Sequence, residues 1–218
     1  IFPKKGEIYF AGALENNEDT GTLQYLASTA MEAGFSTRVL DMQALDLQNG
    51  RFFDPAGELV NRCFKLYPWE WMVDESPDGC LAEMEWLEPI WKLVMSNKAI
   101  LATLYELFPD SPYVLPCYLS RPRSGLFCKK PVFSREGHNV SVVDIRNWEE
   151  HVRIAETEGD YNTGAYVYQE YVEPTVYSGR YPVIGSWIIG GEAAGIGIRE
   201  NRMEVTDNLS EFVPHIIG

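Results

Sequence analysis

Four short runs carry side chains able to handle a phosphate or a polar ligand. The first is Lys129-Lys130-Pro131-Val132-Phe133-Ser134-Arg135-Glu136-Gly137-His138-Asn139. It reads as a strand delivering a lysine into a polar loop with one glycine, Gly137. An ammonium can neutralise two neighbouring phosphates, while loop N–H groups and a guanidinium cover a terminal one. The same run also reads as a surface hairpin with a solvated lysine pair. In the second, Ser96-Asn97-Lys98-Ala99-Ile100-Leu101, Lys98 falls in the first turn of an expected helix, where a cation opposes the dipole unless an anion sits nearby. The alternative is a lysine facing solvent. The third, Val167-Tyr168-Gln169-Glu170-Tyr171-Val172, is a strand whose end can meet a base edge, or an ordinary strand. The fourth is Gly195-Ile196-Gly197-Ile198-Arg199-Glu200. It lacks the third glycine and following helix of a dinucleotide fingerprint. Arg199 at its end can face a phosphate or pair with Glu200 or Glu204.

These runs need a scaffold. Glu7–Ala11, a helix over Thr22–Ala33 closed by Gly34, and Thr37–Leu40 form a β-α-β start,. Asp19-Thr20-Gly21 then lies between strand and helix, where open α/β sheets take ligands. Phe52–Val60 reads as strand, turn, strand, and the aromatic-rich Phe64–Met72 as packing. Helices are expected over Trp86–Met95 and over Lys98–Phe108, the second capped by Ser96 and stopped by Pro109 and Pro112,. From Leu126 onward short strands dominate, at 126–130, 139–143, 165–171, 182–189, 194–199 and 202–205. One helix, about 148–157, interrupts them. The expectation is an α+β chain in three segments: an α/β substrate-side part over 1–75, a helical connector over 76–125, and a mostly antiparallel nucleotide-binding lobe over 126–218.

The net charge of −14 excludes a basic face for nucleic acid,. It is compatible with a cationic co-substrate such as a polyamine. Cys63, Cys80, Cys117 and Cys128 show no CxxC pair and no zinc spacing, so they read as reduced, mostly buried thiols of a cytoplasmic protein,. No apolar run is long enough to cross a bilayer,. Ile1–Gly6 has neither an initiator Met nor a signal-peptide core, and reads as the start of a piece cut from something longer,.

The order of Phe64–Met72, Ser96–Leu101, Lys129–Pro131 with Arg135–Val140, Tyr168–Tyr171 and Gly195–Glu200 resembles the synthetase domain of glutathionylspermidine synthases and their bacterial relatives. The likeness runs from about Gly6 to His215 and is strongest over Phe64–Tyr171. It implies an ATP-grasp fold with a pre-ATP-grasp, glutathione-synthetase-like front segment. It also implies an ADP-forming ligase that joins the glycine carboxylate of glutathione to an amine of spermidine through an acyl phosphate.

By motif, Lys98 and Lys130 match ATP-contacting lysines, and Gly137 falls in the phosphate loop. Gln169, Glu170, Tyr171 and Val172 match the segment along adenine. Glu204, Val205 and Thr206 match a further ATP-side stretch, and Arg199 the catalytic arginine at the transferred phosphate. Asp19, Thr20 and the region of Trp71 match the place that holds glutathione, although Trp71 stands where characterised synthetases carry a smaller polar residue. The resemblance implies Mg²⁺ with ligands upstream of this chain, and small-molecule partners: a glutathione-like peptide and a polyamine-like amine. Rival readings are another peptide and amine pair, or a non-catalytic nucleotide- or peptide-binding module.

Overall fold

The computed structural model describes residues 6–154, 157–159, 161, 164–206 and 210–216. The chain divides into two compact units, Ile1–Met95 and Ser96–Gly218. The boundary falls inside the stretch expected as a connector.

In the front unit the elements are β1 (Glu7–Gly12), α1 (Asn17–Glu32), β2 (Ser36–Asp41), β3 (Asp46–Gln48), β4 (Arg51–Phe53), β5 (Leu59–Val60), β6 (Arg62–Leu66), α2 (Trp69–Glu75), α3 (Pro77–Cys80), β7 (Glu85–Leu87) and α4 (Leu93–Ser96), the last of which crosses the boundary. Four of the strands form a parallel sheet in the order β2-β1-β6-β7. The middle strand β1 is apolar without a break because both its faces are covered,. Ile8 and Phe10 pack under Leu23 and Ala27 of α1. On the other face, Tyr9 and Ala11 join Phe52, Val60, Cys63, Trp69, Met72 and Cys80.

The first helix starts five residues before the expected Thr22. Asn16 sets that start, because its side chain accepts from the Glu18 N–H at 2.9 Å,. Asp19 and Thr20 are therefore inside the first turn and not in a loop before it. At the other end Gly34 takes φ +88°. Its N–H reaches Met31 O, and Phe35 N–H reaches Ala30 O, which closes the helix in a Schellman motif,.

The expected helix over Trp86–Met95 is absent as such. Glu85–Leu87 extends the sheet beside β6, and a short 3₁₀ turn over Ile90–Lys92 precedes α4. Pro89 is the physical reason, since it lacks the N–H that a helix through this run would need. Trp86 packs edge-on against both Phe52 and Trp69.

Lys65 is an unexpected member of this core. It lies on β6, on the same face as the buried Cys63, and is 9% exposed. Its ammonium donates to Tyr67 O at 2.7 Å and sits 3.9 Å from the Trp69 ring centroid. Burial pulls its pKa from 10.5 down to about 8, against the pull of Glu88 and Glu70,.

The back unit contains α5 (Ala99–Leu107), β8 (Cys117–Tyr118), β9 (Gly125–Pro131), β10 (Ser141–Arg146), β11 (Glu149–Ile154), β12 (Tyr166–Glu170), β13 (Tyr181–Ile189), β14 (Glu192–Asn201) and β15 (Glu211–Val213). One antiparallel sheet has the order β11-β10-β9-β12-β8, and a second is β13-β14-β15. Helix α5 covers the β12–β8 side through Ala102, Cys117 and Val167.

The helix expected over 148–157 is instead the strand β11, paired antiparallel with β10. Asn147 and Trp148 both take positive φ, 53° and 71°, and so make a two-residue hairpin turn,. The expected strand over 202–205 is a bend. Asn201 turns the chain there: its side chain accepts from Arg202 N–H and donates to Val205 O. Helix α5 begins at Ala99 with Lys98 as the residue before it. Asn97, not Ser96, accepts from the first N–H of the helix, that of Ala99, at 2.8 Å.

Two outcomes test these points. A tryptophan at φ +71° is strained where glycine is not, so Trp148→Gly should stabilise the chain by about 1 kcal/mol. Thermal melting reads this, and a lower melting temperature would mean that the half-exposed ring holds more than the turn loses.

The second outcome concerns Lys65. Its native pKa lies below its unfolded value, so between pH 8 and 10.5 the unfolded chain holds more protons and stability rises with pH,. Cys63 and Tyr67, both pushed up to about 12 by burial, oppose this once their unfolded forms ionise above about pH 9,. Cys80, Cys117 and Cys128 are pushed up by burial as well, so the Lys65 contribution is read as a difference: between pH 8 and 9 the parent should gain about 1 kcal/mol relative to Lys65→Met,. Denaturant midpoints of the two proteins across this window give that difference. Equal slopes in both proteins would remove Lys65 as the cause.

Candidate functional site

Neighbouring residues on a strand point to opposite faces, and this separates the two adjacent lysines of β9. Lys129 turns to the face of Phe127 and Tyr168. There its ammonium pairs with Glu150 at 2.7 Å and lies 4.6 Å from the Tyr166 ring centroid. Its charge is compensated, and it is structural. Lys130 turns to the other face and meets the Gln169 side-chain oxygen at 2.7 Å. That partner is neutral, so it orients the ammonium without cancelling its charge.

Lys98 approaches the same strand from the start of α5. Its backbone N–H binds Val132 O at 2.8 Å, just past the end of β9. Its ammonium donates to Ser134 O at 2.5 Å and to Ser134 Oγ at 2.9 Å. A cation on helix N–H groups is held there by the loop's own oxygens.

The loop between β9 and β10 contains three positive-φ residues, Glu136, Gly137 and Asn139. Thr157 pins it. Its hydroxyl donates to Gly137 O and accepts from Val140 N–H, while its backbone pairs with Asn139 and Val140. Gly137 is required for space as well as conformation: a Cβ here would stand 2.1 Å from Thr206 O and 3.1 Å from Val205. Gly137, Val205 and Thr206 thus lie together.

Glu204 accepts from the Tyr171 hydroxyl at 2.7 Å, which ties the end of β12 to the loop over 201–206. Between these groups sits Cys128, in register with Gln169. Burial pushes its thiol up, with Lys130 opposing and Glu204 reinforcing that shift. Both charged groups therefore lie close to its sulfur.

Three expected residues, Glu170, Tyr171 and Arg199, behave differently. The N–H groups of Glu170 and Tyr171 are already taken, by Pro116 O and Leu126 O. A base edge along this run would have to be met at the exposed Val172. Arg199 lies on β14 in the second sheet, with its guanidinium over the Phe212 ring at 5.7 Å. Its link to the lysine cluster is the 201–206 loop that follows it in sequence.

In the front unit, β1 leads to β2 on one side and β6 leads to β7 on the other. The crevice between the ends of β1 and β6 is therefore a topological switch point, a common place for ligands in open parallel sheets. Asp19 and Thr20 are at this carboxyl edge, as is Trp71 on α2. The Thr20 hydroxyl is used locally, donating to Leu14 O at 3.0 Å. Asp41 accepts from the N–H groups of Leu14 and Gln43. Trp71 is 41% exposed and packs edge-on with Tyr67.

Sequence reasoning missed Ser134, Cys128 and Lys65. The signal for Lys65 was present as a lone cation inside the strand Arg62-Cys63-Phe64-Lys65-Leu66. Among the described residues no group of three or more His, Cys, Asp or Glu side chains could hold a metal ion. Among the same residues no helix is long and apolar enough to cross a membrane.

The chain is similar in sequence to several known proteins. A putative acid–amine ligase of Haemophilus influenzae is 36% identical over 207 residues, which cover 91% of this chain and 53% of that protein. Trypanothione synthetase of Crithidia fasciculata is 36% identical over 130 residues, covering 58% of this chain and 19% of that one. The bifunctional glutathionylspermidine synthetase/amidase of Escherichia coli is 26% identical over 232 residues, covering 92% and 36%. The chain thus spans about half the length, or less, of these curated relatives. Among solved structures, D-cycloserine synthetase DcsG shares the fold, with a TM-score of 0.56 at 14% identity over 97% of this chain and 76% of that one. The family described as glutathionylspermidine synthase preATP-grasp matches residues 2–218, and the chain belongs to it.

Proposed function

We propose that this chain supplies the nucleotide-side lysines and part of the substrate side of an ATP-dependent carboxylate–amine ligase of the ATP-grasp type, similar to glutathionylspermidine synthase. The observation that carries the reading is the Lys130–Gln169 pair, an ammonium oriented by a neutral partner on the strand that leads into the Gly137 loop. Family membership supports the same reaction class. The nucleotide's contribution is to activate a carboxylate as an acyl phosphate, which an amine then opens to an amide.

The residues suit a polyanion. Lys98 and Lys130 would hold its charge from two elements, which lowers the electrostatic cost of gathering phosphate oxygens in one place. Gly137, Val205 and Thr206 would form a close-packed wall, with Glu204 and Tyr171 fixing its position. Gln169, Glu170, Tyr171 and Val172 would run beside the base, and Arg199 would act at the transferred phosphate once the 201–206 loop is engaged. On the substrate side, Asp19, Thr20 and Trp71 would border a glutathione-like peptide, with a polyamine-like amine as the acceptor. Mg²⁺ would accompany the nucleotide.

The test is a calorimetric titration of this chain with a non-hydrolysable ATP analogue and Mg²⁺. Binding should appear in the parent and weaken at least tenfold in Lys130→Ala, about 1.4 kcal/mol. Gly137→Ala should weaken it too, because its Cβ displaces Thr206. Undiminished binding by Lys130→Ala would place the phosphates elsewhere, and no binding by the parent would remove the nucleotide reading for this chain.

A further inference from the structure

A small cavity opens at the carboxyl edge of the front unit's parallel sheet, on the face away from α1. It measures about 180 Å³. Phe52 and Met72 are the buried members of its lining, and Met42, Leu45 and Leu47 supply further apolar wall. Polar groups enter from Gln43, Tyr67, Glu75 and Ser76, of which Glu75 alone is a charged type. The Tyr67 hydroxyl donates to Glu75 Oε2 at 2.5 Å, so the carboxylate is held in place with its second oxygen still able to accept,.

The electrostatics have one sign. No lysine or arginine lines the cavity. Asp41 adds a second carboxylate close enough to act on Tyr67. The nearest buried cation, Lys65, interacts with two carboxylates of its own, Glu70 and Glu88. Burial and Glu75 together push the Tyr67 hydroxyl up to about 12, so it remains a donor throughout the physiological range.

Size narrows the ligand. A nucleotide or tripeptide needs a pocket of roughly 300 Å³ or more. An apolar cavity of roughly 150 Å³ is enough for a benzene-sized guest. A slot of this kind with a fixed carboxylate beside it suits one unbranched alkyl chain that ends in a cation.

We propose that this cavity is a binding site for a primary alkylammonium, with the chain among Met42, Leu45, Leu47, Phe52 and Met72 and the ammonium on Glu75. The assignment does not rest on the nucleotide reading, since the cavity lies wholly within the front unit.

The experiment is a calorimetric titration of this chain with hexylamine, hexanol and hexanoate at pH 7. Hexylammonium should bind at least tenfold more tightly than hexanol, and hexanoate should not bind. Glu75→Gln should bring hexylammonium down to the level of hexanol while hexanol is unchanged. Leu47→Trp, which fills the cavity, should remove both, with circular dichroism confirming that each variant is folded. The proposal is overturned if hexylammonium does not bind the parent, or if Glu75→Gln and Leu47→Trp both leave its binding intact. The ATP-analogue titration on the unaltered chain separates the two proposals, because either can fail while the other holds.

Discussion

Everything at the lysine cluster depends on the register between Gly125–Pro131 and Tyr166–Glu170. Val167 stands opposite Lys130, and Gln169 opposite Cys128. With that pairing, Lys130 and Gln169 share a face and their side chains meet. A slip by one residue would carry Lys129 to this face and send Lys130 toward Glu150. The register is held from both sides: Phe127, Val143, Ile145 and Tyr168 pack on one face, and Ala102, Cys117 and Val167 on the other.

The two units treat buried positive charge differently. In the front unit Lys65 meets an aromatic ring and a carbonyl, and Glu88 and Glu70 only partly offset the cost of burying its charge. In the back unit Lys130 is aimed by a neutral amide. A cation with its own counter-charges stabilises or destabilises a fold, whereas one that is oriented but uncompensated can receive an anion.

Much of this was legible in the sequence. The β-α-β start and the antiparallel back end follow from strand patterning and glycine placement. Failures came where a local device overrode the pattern. Asn16 extended α1 backwards over Asp19 and Thr20. Asn147-Trp148 made a hairpin turn without the glycine that usually announces one, so a strand was read as a helix,. Asn201 bent a run that alternates like a strand. The difference between Lys129 and Lys130 follows from strand period, but its consequence depends on Glu150, 21 residues after Lys129 and reached only through two pairings.

The Thr157 clamp on the β9–β10 loop has a kinetic meaning. Glu136, Gly137 and Asn139 already hold left-handed backbone angles, and one hydroxyl fastens the second half of the loop, at Gly137 and Val140. The entropy of ordering this loop is lost during folding and not at the moment an anion arrives. On the proposed reading, an arriving phosphate would need no loop search, and selectivity would shift to the departure step, where Lys98 and Lys130 would set how long the guest remains.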